Sequence, residues 1–455
     1  MPRVTPVDPQ DVLPAANPFV HARALTPDEA IRREADVRRL VRLAAGGHNA
    51  VLYAPRRFGK TTVLRQVQQA AAELDMPSAL VDLSGVLSPA DLAARLKRSY
   101  EVLPPRLRDH VRSELASVTV PTPFGGFSLA RNQTPPDPIA AVHTLLEVPA
   151  QLAERTGRRV LAVFDEFQSL VHLDGYDGVL RSHLQHHAAV SYIFCGSEPS
   201  LLRALFENRA RPLYGQAEQI RLGRLEPQAA ERYVEREFER TGKRAGDTPP
   251  YLVEAIAERH PQRLMLVAHA LWERVEVGGL ATLTHLRAAY DGALRQVEHE
   301  LEYLWEALTA NQRRVLAALA SGFTPYGREA EVFYGLGRSS AQRPVEALER
   351  SAVIERGADG HRHRIVDPLL RRWVVHKAQA RLQIFVLPHA GEFIVCDGPS
   401  LAFIRSRHAT LAEAEAEADA LAAKSQAAET VVFDTEDPND LPAWAIAAPD
   451  EEGGR

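Results

Sequence analysis

Cysteine is almost missing: the 455 residues hold two, Cys195 and Cys396, each inside an apolar run. Two thiols cannot build a disulfide framework or a Cys-rich zinc site, which excludes the small secreted scaffolds and fits a reducing compartment. No run of about 18 apolar residues occurs, and the opening MPRVTPVDPQDVLPAANPF puts Pro and Asp where a signal peptide needs an apolar core. The expectation is a cytoplasmic chain with no membrane partner. Lysine is scarce as well, with five among the 54 basic residues and Arg making up the rest, so a lysine inside a motif carries extra information. Acidic residues number 59 and the net charge is −5, which excludes a charge-driven nucleic-acid coat. A composition 45% hydrophobic and 25% charged is that of a globular protein, and the length calls for two to four domains.

The apolar run AVLYA at 50–54 is followed by a polar turn and a helical stretch from Gly59, which reads as strand, loop, helix. SALVDLS from Ser78 is a second strand, before a helix opened near Ser88 with Pro89 and Asp91 in its first turn. Alternating strands and helices argue for a parallel sheet, covered on both faces where RRVLAVFDEF and VSYIFCGSE run continuously apolar. A Pro- and Gly-rich stretch at 104–138, with a hairpin at PFGGF, reads as an insertion. The predicted architecture is α/β. An N-terminal segment (1–24) precedes a core with helices on both faces of its sheet (25–224) and a helical lid (225–295). A winged helix-turn-helix (296–378), a small ββαβ module (379–436) and an acidic tail (437–455) follow.

A nucleoside triphosphate needs backbone N–H groups around its phosphates, a lysine at the β and γ oxygens and a hydroxyl for magnesium. Ala54, Pro55, Arg56, Arg57, Phe58, Gly59, Lys60 and Thr61, followed by Thr62, supply all three. The segment departs from G-x-x-x-x-G-K-[ST] only at Ala54, which stays small but gives up the freedom to take positive φ. Gly59 lets the backbone approach the phosphate, Lys60 neutralises it, and Thr61 sits at a helix start whose dipole adds attraction. The second half of such a site is an acid at the tip of a neighbouring strand, where Asp165 and Glu166 stand. Asp165 is the expected Mg2+ residue together with Thr61, and Glu166 the general base for the attacking water. Ser197, ending the next apolar strand, is placed to hydrogen-bond the γ-phosphate or that water.

With Asp165-Glu166-Phe-Gln, then LRSHLQHHAAVSYIFCGSE, RPLYGQAEQIRLGRL, NPF at Asn17, AIRREADV and APRRFGKTT, the chain resembles the archaeal-type ATPases of the STAND branch of AAA+-like P-loop NTPases over roughly 17–374. The resemblance implies an ATP-binding core with Walker A and Walker B elements, a helical lid and a winged helix. It also implies two arginine roles: Arg211, with Arg209 as rival, as a finger acting from this or another protomer, and Arg263 as a sensor arginine binding nucleotide from the lid. His260 stands where the family keeps a small residue.

The winged-helix stretch 309–376 carries 11 Arg against 7 acidic residues. Ser340, Gln342 and Arg343 near the start of its third helix, and His361, Arg362, His363 and Arg364 on its hairpin, are candidates for contacts to double-stranded DNA. Pro344 predicts that this helix begins nearer Arg343. Protein packing is the alternative use. His361 and His363 alternate as strand ligands would, but no third and fourth ligand follows at a recognisable spacing, so no metal centre beyond Mg2+ is expected. DGYDG at 174–178 reads as a plain turn, and His186 and His187, after Gln185 at a helix end, as packing or neighbour contacts. Together these features predict a slow Mg-ATPase acting as a nucleotide-dependent switch coupled to the winged helix, with homo-oligomerisation open. A DNA-binding transcriptional or defence regulator with structural ATP, and an ATP-driven protein-interaction hub, are the alternatives.

Overall fold

The computed structural model describes residues 16–118, 137–357, 362–377, 383–389, 391–397, 404–424, 429–432 and 434. The PFGGF hairpin, most of the 104–138 insertion, His361 and the tail at 437–455 lie outside the described residues. The chain divides into two compact units, one formed by Ala24–Gly223 and the other by Met1–Arg23 with Arg224–Arg455.

The first unit is built on five strands, β1 (Ala50–Tyr53), β2 (Ser78–Asp82), β3 (Val160–Asp165), β4 (Val190–Gly196) and β5 (Glu218–Arg221). Their order is β2-β3-β4-β1-β5 and every pairing is parallel. Strands β3 and β4 are buried along their whole length, which is why they read as unbroken apolar runs. Helix α1 (Glu34–Ala45) leads into β1, and the crossovers that parallel neighbours need are supplied by α2 (Lys60–Glu73), α3 (Pro89–Glu101), the short α4 (Pro105–Asp109) and α5 (Arg112–Ser117), α6 (Pro138–Thr156), α7 (Tyr176–Leu184) and α8 (Pro199–Phe206). Ser88 caps α3 by accepting from the Asp91 N–H at 3.2 Å, the local signal read from the sequence. A large apolar cluster that runs from Val51 to Leu213 in the chain and draws on β1, β2, β3 and β4 holds α3 and α6 to the sheet.

The second unit begins with α9 (Pro227–Arg240), α10 (Thr248–Pro250) running into a π-helical turn (Tyr251–Ile256), α11 (Pro261–Glu273) and α12 (Leu283–Ala307). The NPF segment belongs to it. Asn17 donates to the His269 carbonyl at 3.1 Å and to Glu273 Oε1 at 2.8 Å, and Phe19 is fully buried against the Tyr233 and Phe238 rings. Three helices follow, α13 (Ala310–Ala320), α14 (Arg328–Tyr334) and α15 (Arg338–Arg350), then an antiparallel hairpin of β6 (Ile354–Arg356) and β7 (His363–Ile365), and α16 (Pro368–Lys377). Helix α15 starts at Arg338 and holds Pro344 inside it, earlier than the proline led us to expect. Pro344 forgoes one intrahelical bond, and burial of Ala341, Val345 and Leu348 along one face outweighs that loss.

The last module has β8 (Gln383–His389), β9 (Glu392–Asp397), β10 (Ile404–His408), α17 (Leu411–Lys424) and β11 (Glu429–Val432), in the order β10-β9-β8-β11. It is thus βββαβ, one strand more than the predicted ββαβ. The extra strand is IRSRH, a charged edge segment with none of the apolar alternation that reveals a half-buried strand. Among the described residues, no helix is long and apolar enough to cross a membrane.

Candidate nucleotide site

The loop between β1 and α2 turns through two left-handed residues, Arg57 at φ 69° and Gly59 at φ 80°. Ala54 is not one of them, so replacing the motif's first glycine costs no backbone strain. Its methyl group is fully buried where β1 ends. Lys60, the first residue of α2, is 6% exposed and donates to the carbonyls of Ala54 at 3.2 Å and Pro55 at 3.1 Å, folding its ammonium back over the loop. Burial pulls that ammonium below its usual pKa, against the attraction of the nearby Glu166 and Asp165 carboxylates.

Thr61 Oγ1 donates to Asp165 Oδ2 at 2.8 Å, which ties the start of α2 to the tip of β3. A hydroxyl and a carboxylate oxygen side by side are the hard donors that suit Mg2+. Burial pushes Asp165 above the usual carboxylate range, although the Thr61 hydrogen bond and Lys60 oppose it. A desolvated carboxylate of this kind gains from a cation beside it, so the residues fit the ion the sequence implies. The buried Cys195 lies close by, and burial drives its thiol far up, which keeps it protonated and inert.

Glu166 takes the left-handed conformation at φ 51°, uncommon for a residue with a side chain, and its N–H donates to Asp165 Oδ1 at 3.0 Å. The kink turns its carboxylate toward β4. There Ser197 Oγ donates to Glu166 Oε2 at 2.6 Å, and Gln168 Nε2 donates both to that oxygen and to Ser197 Oγ, the latter at 3.2 Å. Two donors on one carboxylate oxygen fix its orientation.

Gln168 closes the Asp165-Glu166-Phe-Gln segment, and the sequence pattern gives it no role of its own. Its signal is the turn itself, since a 3-10 segment (Phe167–His172) follows Glu166 and returns the residue two positions on to the same carboxylate. Gly196 makes room for it: a Cβ there would stand 2.1 Å from Gln168 Oε1 and 2.9 Å from Leu202 Cδ1. Gly196→Ala is therefore expected to displace Gln168 and loosen Glu166 and Ser197. Nucleotide affinity should stay within about threefold of wild type while hydrolysis falls at least tenfold, measured by equilibrium binding and phosphate release. A variant that hydrolyses normally would disconnect Gln168 from the reaction.

Arg33 is a second residue without an assigned role. It is buried at the start of α1, and its guanidinium donates to the Gly223 carbonyl at 2.8 Å and to the Phe58 carbonyl of the loop at 3.3 Å. It braces the loop from behind.

The arginines are placed differently. Arg211 follows α8, is 39% exposed, and has Nη1 3.3 Å from Asp177 Oδ2 in α7. Arg263 belongs to the other unit, where it is 1% exposed and its Nε donates to both oxygens of Asp367 at 3.0 Å. The hairpin cations are also engaged: His363 and Arg356 face Glu349, and Arg364 faces Glu355, which also binds Arg224. Ser340, Gln342 and Arg343 on α15 are exposed, with Gln342 donating to Glu346 at 3.1 Å.

No family model and no curated protein matches the sequence. Solved structures do. A Walker-type ATPase of Pyrococcus abyssi overlays with a TM-score of 0.58 at 16% identity, covering 79% of this chain and 99% of that one. The ORC2 protein of Aeropyrum pernix, solved with ADPNP and ADP, gives 0.48 at 15% identity over 80% and 98%. The RuvB Holliday-junction branch-migration motor of Thermotoga maritima gives 0.38 at 13% over 76% and 95%. The first of these shows that the chain has the P-loop ATPase fold, as its motifs led us to expect.

Proposed function

We propose that the chain binds ATP at the β1–α2 loop and hydrolyses it slowly, as a switch before a motor. One observation carries the reading: the 2.8 Å hydrogen bond between Thr61 and Asp165, beside a lysine buried in its loop and a glutamate turned toward the same strand tips. Backbone N–H groups at the start of α2 and the Lys60 ammonium receive the β- and γ-phosphates. Thr61 and Asp165 would hold Mg2+, which would supply charge neutralisation for the phosphate oxygens. Glu166 accepts the proton of a water aimed in line at the γ-phosphate, the bond from that phosphorus to the bridging oxygen breaks, and ADP leaves. Ser197 and Gln168 fix where the Glu166 carboxylate points, and the Ser197 hydroxyl can turn its hydrogen bond to phosphate or water. Arg211, the candidate finger, would have to leave Asp177 to reach a phosphate, from this protomer or another, and such a rearrangement fits slow turnover.

The test is ATP binding and phosphate release by the purified chain with Mg2+ or with chelator. Saturable binding that weakens at least tenfold in chelator, with turnover below about one per second, is the expected result. No binding in either condition would overturn the reading.

A second reading concerns the α13–α16 region, whose excess of arginine favours contact with DNA. Most hairpin cations described already face acids, so this reading rests on α15 and its exposed Arg338, Ser340 and Arg343. Anisotropy with mixed duplex DNA at two salt concentrations, with and without ATP, decides it. A steep salt dependence that Arg343→Ala reduces supports DNA contact, and salt-independent or absent binding favours the protein-interaction hub. Light scattering with a non-hydrolysable analogue reads the homo-oligomer.

A further inference from the structure

Two pairs of polar residues, each four positions apart, meet in the core unit away from the nucleotide site. His143 and Glu147 lie on α6, and His183 and His187 lie at and just beyond the end of α7. Ligand atoms of Glu147, His183 and His187 all fall within 4.8 Å of one another. His183 Nδ1 meets one oxygen of Glu147, and His187 Nε2 stands 3.2 Å from the other. Both imidazoles are buried, at 9% and 5% exposure, while the Glu147 side chain is 43% exposed and leaves one side of the cluster open to water.

The outer ring nitrogens are engaged too. His183 Nε2 lies 2.9 Å from His143 Nδ1, and His187 Nδ1 lies 2.5 Å from the Tyr192 hydroxyl. When each of these histidines gives its outer N–H to that partner, its inner nitrogen presents a lone pair to a carboxylate. Two lone pairs and a negative charge in one pocket repel unless a cation sits among them. A ligand imidazole whose far N–H is held by a polar neighbour is the usual second layer of a metal site. Tetrahedral zinc at about 2.0 Å from each ligand sets its donors about 3.3 Å apart, so the three groups need only small adjustments.

We propose that Glu147 with His183 Nδ1 and His187 Nε2 forms a reversible Zn2+ site, with water as fourth ligand on the exposed side of Glu147. Two imidazoles and a carboxylate suit zinc better than Mg2+ or Ca2+, which prefer all-oxygen cages. The bound ion would pin α6 to the end of α7 and to the start of β4, where Tyr192 lies. Gly196, at the other end of that strand, is about 20 Å from Val190 along it, so the ion would act on the sheet and not on the phosphates. Protons are the competing occupants: Tyr192 and His143 can donate inward, leaving each imidazole a proton to offer Glu147. Burial holds His187 below its usual pKa despite Glu147, whereas Glu147 itself, pushed up by burial, is brought below its usual range by both histidines.

The experiment uses the tag-free full chain, stripped of metal and without nucleotide. Titration with Co2+ should give the visible d–d spectrum of a four-coordinate ion at one equivalent per chain. Zn2+ should displace it and raise the melting temperature by about 5 °C or more. Glu147→Ala, at a half-exposed position, should keep the fold and lose both responses, whereas His299→Ala, at a fully exposed histidine, should keep them. Absence of spectrum and shift in the wild-type chain would overturn the proposal and leave the cluster filled by protons. A response that survives in Glu147→Ala would overturn it equally, by placing the metal elsewhere.

Discussion

Lys60→Ala should lower ATP affinity at least 100-fold, about 3 kcal/mol, measured by equilibrium binding of a fluorescent nucleotide with Mg2+ present. Lys60 is nearly buried and donates to two carbonyls of its own loop, so the ammonium is held in place before any phosphate arrives. Its removal takes away the positive charge nearest Asp165 and Glu166, and an incoming phosphate would then meet two carboxylates with little to offset them. Lys60→Arg should not rescue binding, because a forked guanidinium cannot follow the compact path of the ammonium back into the loop. Glu166→Gln supplies the contrast. It keeps the shape and the Ser197 contact but cannot take a proton, so affinity should stay within a few fold while phosphate release drops 100-fold or more. A Lys60→Ala chain that still binds ATP tightly would place nucleotide elsewhere. A Glu166→Gln chain that turns over normally would remove Glu166 from the chemistry.

What the sequence made legible follows from range. The loop, the acidic doublet and the two apolar strands are local patterns, each set by period or by one lysine on a glycine turn, and the structure brings Lys60, Thr61, Asp165, Glu166 and Ser197 to adjoining strand tips. Gln168 escaped because its position depends on a left-handed residue at Glu166 and on missing atoms at Gly196, neither visible as a pattern. The Glu147, His183 and His187 cluster escaped for a related reason. Each half is a four-residue spacing common on any helix, and only the packing of α6 beside α7 joins them. Strand β10 was missed because an exposed edge strand has no buried face to write in apolar residues, and the start of α15 because packing overrode the local rule for Pro344.

The pairing of Arg263 with Asp367 leads to the second large effect. Asp367→Asn should destabilise the unit formed by Met1–Arg23 and Arg224–Arg455 by about 3 kcal/mol, because it removes the hydrogen-bonded counter-charge of a fully buried guanidinium and leaves only the half-exposed Glu300, 4.0 Å away. Arg263→Met with Asp367→Leu should cost far less than the sum of the single changes, since the double variant strands no charge. Trp272, Trp305 and Trp373 lie in this unit and the described residues of the core unit hold no tryptophan, so tryptophan fluorescence in a urea titration follows this unit. The same cluster sets a pH dependence. His260 caps α11 by accepting the Arg263 backbone N–H at 3.3 Å, and burial lowers its pKa to about 3 despite the nearby Asp367 carboxylate. The unfolded chain takes up that proton near pH 6.5 and the folded chain refuses it until about 3, so stability falls as pH drops through this window, by on the order of 4 kcal/mol. Asp367 adds to the loss: burial pushes it up, but the Arg263 guanidinium holds it below its usual value, so its contribution is present at neutral pH and disappears in acid. His260→Asn keeps a side-chain cap without a titrating ring and should flatten the profile between pH 6.5 and 4, leaving only the Asp367 component. An unchanged slope in that variant would show that the acid sensitivity arises at another group.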